Sequence, residues 1–209
     1  MLTRRHIRLK IMQIIYALKI SDFEYTKETE KKLLESIDSS YNLYLILISL
    51  LIEILNRAQA KYLISQKKLL SDQKNIYDNK KFIKNQLLNL LKSDHLFNQE
   101  INKRNSNLWD LDFKYIDLIY EKLIKSELFS DYIKSDEISF KNDRDFVAKF
   151  YKNIIATNDK LYSFLEDRNI NWVDDFPLIN TIILKLINKS KETNSKTYFL
   201  PKLYKDNQD

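Results

Sequence analysis

No glycine occurs anywhere in this chain of 209 residues. Glycine reaches positive φ without steric cost, so tight hairpin turns of types I′ and II′ must rely on Asn or Asp here, and glycine-ended helix C-caps are unavailable. Phosphate-cradling loops of the P-loop and dinucleotide kinds need glycine where the backbone meets the phosphate, and this sequence cannot build them. Cysteine is also absent, so neither a disulfide framework nor a thiolate site can form, which fits a reducing interior. Lys, Ile, Asn, Tyr and Phe are abundant, a bias that an AT-rich coding sequence produces by depleting glycine and arginine codons. With 44% hydrophobic residues, 12% of the chain being aromatic, the chain can still bury a core.

Helical periodicity dominates and period-two alternation is nowhere sustained. The sequence predicts a short polar helix over 24–37, a break at Ser39 and Ser40, and a long helix over 41–64. The run from Leu43 to Leu55 is almost wholly apolar, yet Glu53 and Arg57 interrupt it short of the roughly 20 residues a membrane span needs. It is expected to be a central buried helix. Residues 65–79 read as a loop, Phe82 to Ser93 as a helix, and 98–107 as polar again, with Trp109 anchoring the chain to the core. Helical stripes follow over 115–133 and 146–165. A last helix is announced by Asp174-Asp175-Phe176-Pro177, acids followed by an early proline. The expected fold is a single all-α bundle of six to eight helices. No cleavable leader is legible at the N-terminus, and the expected location is cytoplasmic.

The first twenty residues stand apart in charge. Arg4, Arg5, Arg8, Lys10 and Lys19 precede the first acid, Asp22, and account for five of the six net positive charges; the rest of the chain holds 30 basic and 29 acidic residues. Only seven arginines occur in the chain, and three of them fall between positions 4 and 8. Guanidinium groups bind phosphate bidentately where ammonium acts as a point charge, so a cluster of the scarcer cation is the more informative one. As a helix the stretch is amphipathic, with Ile7, Ile11, Ile14 and Leu18 at the spacing of a buried stripe and Thr3 as a candidate N-cap. Arginines at a helix N-terminus face the positive end of the macrodipole, which costs a few tenths of a kcal/mol or more each. Stability alone does not place them there; an anion at that end would meet both the guanidinium groups and the free amides of the first turn.

The series Arg4-Arg5-x-x-Arg8, with Gln13 and Tyr16 following, resembles the N-terminal motif of the NusB transcription antitermination factors. That motif reads Arg-Arg-x-Ala-Arg-Glu-x-Ala-hydrophobic-Gln-Ala-Leu-Tyr. The chain departs from it at Ile7 and Ile11, which replace small residues, at Leu9, which replaces the Glu, and at Ile14 and Ile15. The opening is most similar to the longer NusB-like proteins of the Bacteroidetes, which carry an extra helical stretch before the common domain. On this resemblance residues 1–21 form a basic N-terminal helix, 22–142 the extra stretch, and 143–209 a partial set of NusB-like helices. The Phe-x-Asn-Gly C-terminal pattern of the family is not found before Asp209, so the chain is expected to be incomplete. The resemblance implies an adaptor that binds boxA-type ribosomal RNA leaders with the ribosomal protein NusE, within the RNA polymerase antitermination complex. Arg4, Arg5, Arg8 and Lys10 would contact RNA, and Gln13 and Tyr16 a protein partner.

Catalytic patterns are missing from the sequence. His6 and His95 are far apart, the acid pairs Asp110/Asp112 and Asp174/Asp175 read as caps, and the serines have no positioned base. The expectation is therefore a non-enzyme without cofactor or metal and without a membrane segment. Two other readings stay open: a helical protein-interaction module, and an accessory RNA-binding domain of a ribosomal RNA methyltransferase.

Overall fold

In the computed structural model the described residues are 4–21, 27–67, 79–104, 106, 108–192 and 198–201; they contain ten α-helices and no strand. The all-α bundle is what the chain forms, built from more helices than the sequence suggested, most of them shorter and one of them longer. Helix α1 (Arg4–Ser21) lies along the outside of α2 (Lys27–Lys67), a single 41-residue helix. At 1.5 Å per residue α2 is about 60 Å long.

The break expected at Ser39 and Ser40 does not occur. Both serines sit mid-helix because their polar groups find partners outside it. Ser39 Oγ accepts from Trp172 Nε1 at 2.8 Å and from Asn169 Nδ2 at 2.9 Å. Ser40 Oγ donates to Asp175 Oδ2 at 2.7 Å. A serine interrupts a helix when its hydroxyl competes for the local backbone; here tertiary partners remove most of that competition.

From Leu43 to Leu55 α2 is buried almost all round, as a helix apolar on every face must be. By length and composition Lys27–Gln66 could cross a membrane, but 72% of its most apolar window is covered by the protein itself. The covering elements include α4 (Gln86–Lys92), α6 (Phe113–Ile124) and α10 (Phe176–Lys189), while α8 (Phe140–Phe150) packs on α4 and α10. One hydrophobic cluster runs from Tyr41 to Phe199, so residues on both sides of position 142 share a core. Trp109 is buried as expected, its indole N–H donating to the Ile46 carbonyl at 3.0 Å.

Without glycine the chain punctuates its helices with side-chain caps. Asn85, Asp94, Ser126, Ser139 and Asn158 each accept an amide from three residues on, starting α4, α5 (His95–Lys103), α7 (Glu127–Lys134), α8 and α9 (Asp159–Arg168). Such caps contribute about 1 kcal/mol each. At the other ends, the C-caps of α3 (Lys80–Ile83) through α10 all keep negative φ, so no left-handed terminus is needed. These caps account for the differences from the sequence reading. The Phe82–Ser93 stretch is divided at Asn85, the 115–133 stripe at Ser126, and the 146–165 stripe at Asn158 after a π-turn over Tyr151–Ile155. The polar stretch after Asn98 hides α5, whose Phe97 and Ile101 face the core four residues apart. Thr3, and most of the loop over 65–79, lie outside the described residues.

Asp143 ties three of these helices together. Its carboxylate accepts the Gln86 amide at 2.7 Å and the Tyr132 hydroxyl at 2.6 Å, placing a negative charge at the N-terminus of α4. Burial and this carboxylate together push the Tyr132 hydroxyl well above its ordinary pKa.

Candidate nucleic-acid interface

Helix α1 has no acid in its first turn and none along its length. Its inward face is formed by Ile7, Lys10, Ile14 and Leu18, rather than by the expected stripe through Ile11, which is exposed. Lys10 is the deepest residue of the helix at 5% exposure. Its ammonium donates to Asp175 Oδ2 at 3.0 Å and to Ser36 Oγ at 3.1 Å. Asp175 thus receives Lys10 from α1 and Ser40 from α2 on one carboxylate oxygen, at the point where α10 begins. Lys10 therefore does not share the arginines' face; it lies about 200° round the helix from Arg8 at 100° per residue.

Arg4, Arg5 and Arg8 are exposed, and with Lys19 they fall on an arc of about 100° at the helical pitch. Among the described residues no carboxylate lies within ion-pair distance of any of these four. The other four arginines of the chain are all paired. Arg57 grips Asp117 with two bonds of 2.5 and 2.8 Å. Arg104 meets Asp38 at 2.7 Å and Glu100 at 2.6 Å while lying over the Tyr41 ring. Arg144 pairs with Asp145 at 2.9 Å and Arg168 with Asp112 at 2.7 Å.

The same outer surface of α1 is apolar between its cations. Tyr16 is 67% exposed, Met12 and Ile20 are 66% exposed, and Leu9 and Ile15 also face solvent. Met12, Tyr16 and Ile20 form a row four residues apart, the spacing of one helix face. Gln13 is also exposed, at the edge of this face, its Nε2 donating to Asp174 Oδ2 at 2.7 Å. Of the two residues expected to meet a partner, Tyr16 is presented outward and Gln13 is spent on an internal bond.

Beneath α1 a cleft of about 630 Å³ is lined by Lys10, Gln13, Ser36, Asn169, Ile170 and Asp174, among others. The half-buried His6 has its pKa lowered by burial and by Arg5, with Asp175 pulling upward and Lys10 downward. His95 opens α5 on the surface. Among the described residues no three His, Asp or Glu side chains are grouped to hold a metal ion. Of the acids expected to be caps, Asp112 and Asp175 stand at the N-cap positions of α6 and α10 but make no side-chain cap hydrogen bond, because their carboxylates are used elsewhere: Asp112 holds Arg168 and Asp175 holds Lys10, while Asp174 holds Gln13. The sequence reading missed Asp175 as a partner of α1. Its separation of 165 residues from Lys10 leaves no local signal that could have found it.

Comparisons with protein-family models, with curated proteins and with solved structures find no match to this chain.

Proposed function

We propose that the chain is an RNA-binding adaptor of the NusB antitermination type, with the outer face of α1 as its RNA site. The observation that carries this reading is the contrast among arginines: Arg4, Arg5 and Arg8 are exposed with no carboxylate beside them among the described residues, while Arg57, Arg104, Arg144 and Arg168 are each paired. Guanidinium groups at the positive end of a helix oppose the helix dipole, and an anion joining them there offsets that cost. The single-stranded RNA backbone supplies such anions, and Tyr16 on the same helix offers a ring for an unpaired base. The resemblance of Arg4-Arg5-x-x-Arg8, Gln13 and Tyr16 to the NusB motif narrows the RNA to boxA-type ribosomal leaders and the partner to NusE. The row Met12, Tyr16 and Ile20 supports a protein contact next to the RNA site, and phosphate contacts alone would not give sequence preference. It equally supports a protein-interaction module without RNA.

Titration of labelled boxA RNA and of a scrambled RNA of equal length, with and without NusE, separates these readings. The adaptor binds boxA more tightly than the scrambled strand, and NusE widens the difference. Equal binding of both strands would remove the antitermination reading and leave an RNA binder without sequence preference, and binding of neither would leave the interaction module.

A further inference from the structure

We propose that Lys10 is a positioning residue, whose buried ammonium latches α1 to α2 and to the start of α10 and so sets the rotation at which Arg4, Arg5 and Arg8 are presented. The inference rests on the RNA reading for its consequence, and on geometry for the latch itself. A lysine in the deepest position of an amphipathic helix is an expensive choice, since burying an ammonium is offset only by close pairing. Here the ammonium is closely paired: Asp175 Oδ2 at 3.0 Å and Ser36 Oγ at 3.1 Å receive two of its three protons, and Ser40 Oγ holds the same carboxylate oxygen at 2.7 Å. Three elements therefore meet at one ion pair.

An apolar residue at this position would pack without fixing a register, because apolar contact is non-directional. The stripe Ile7, Ile11, Ile14 and Leu18 offers that alternative docking. Exchanging Lys10 for Ile11 at the interface would turn the helix by roughly 25°, at 100° per residue, and carry Arg4 toward the body. The pair Lys10–Asp175 disfavours it, because a turn of the helix takes the ammonium away from the buried Asp175 carboxylate and leaves that charge with only the neutral Ser40 hydroxyl. Gln13, bonded to Asp174 at 2.7 Å one turn on, holds the same rotation from the surface.

The test compares native protein with Lys10→Met by amide hydrogen exchange without RNA, and by titration of single-stranded RNA over a salt series. The latch predicts that α1 amides exchange at least ten-fold faster in Lys10→Met while those of α4 and α6 keep their protection. RNA affinity falls several-fold with an unchanged salt slope, since no phosphate contact is removed. Unchanged protection of α1 overturns the latch, as does a slope flattened by about 0.7, which would make Lys10 itself a phosphate ligand. Should Lys10→Met not fold, Ser36→Ala removes the longer bond without stranding a charge, and predicts a two- to five-fold acceleration confined to α1; no acceleration overturns the proposal. If native protein binds no RNA, the RNA reading fails while the exchange comparison still decides the latch.

Discussion

Helix α1 and the bundle beneath it use the same residue types in opposite ways. In the middle of α2 the apolar side chains are covered, and the bundle's arginines are paired; Leu43, Leu45, Leu47 and Leu50 are fully buried, and Arg57 and Arg104 are held by carboxylates. On α1 the outer apolar residues Met12, Tyr16 and Ile20 face solvent and the arginines are free of carboxylates among the described residues. The difference shows which residues the fold consumes and which it leaves for something else. Lys10 crosses over: it sits on the basic helix but is paired with a carboxylate, as the bundle's arginines are.

The comparison breaks most visibly in the apolar residues. Leu47→Ala should cost about 3 kcal/mol in urea unfolding, because it deletes a fully buried side chain and leaves a cavity in α2's surroundings. Ile15→Ala on the open face of α1 should stay within about 0.5 kcal/mol. Similar losses for the two would mean that α1's outer face is covered in solution.

Among arginines the expected effect is next in size. Arg104→Ala removes a 23%-exposed side chain that bridges Asp38 and Glu100 and lies over Tyr41, and should cost about 2 kcal/mol. Arg8→Ala should leave stability within about 0.5 kcal/mol, since it loses only an unfavourable interaction with the helix dipole. A large loss at Arg8 would reveal a structural partner for it.

The smallest effect concerns His6. Its folded pKa is lowered, first by burial and then by Arg5, so the unfolded chain binds the proton more readily. Neutral His6 therefore contributes its stability in full above the unfolded value near 6.5, and that contribution is lost as pH falls toward the folded value. Thermal unfolding at pH 7.5 and pH 5 should show native protein losing slightly more than His6→Gln. The reverse order would mean that Asp175, rather than the neighbouring cations, dominates the site.

What could be read from the sequence follows a physical division. Local patterns carried the helical class, the burial of the 43–55 run, the anchor at Trp109 and the start of α10 at Phe176-Pro177, because periodicity and caps are written within a few residues of one another. The stripes over 115–133 and 146–165 looked continuous because helices on either side of Ser126 or Asn158 turn the same face to one core. Ser39 and Ser40 looked like a break because Trp172, Asn169 and Asp175, which use their hydroxyls, lie more than 120 positions away. At the candidate site the basic, amphipathic character of α1 was legible, and the rotation of the helix was not. Rotation depends on Lys10 meeting Asp175, and a lysine two residues from an arginine cluster reads as one more surface cation until its partner is known.

The most direct measurement of whether α1 is the anion site uses two variants of equal net charge. Arg4, Arg5 and Arg8 are changed together to Ala in one, and the exposed lysines Lys122, Lys125 and Lys160 in the other. Single-stranded RNA binding is then followed against salt for both and for native protein. With about −0.7 in slope for each neutralised phosphate, the arginine variant should flatten the dependence by roughly 2 while the lysine variant leaves it within about 0.5 of native. Equal flattening in both variants would make the attraction a diffuse property of net charge and contradict a site on α1.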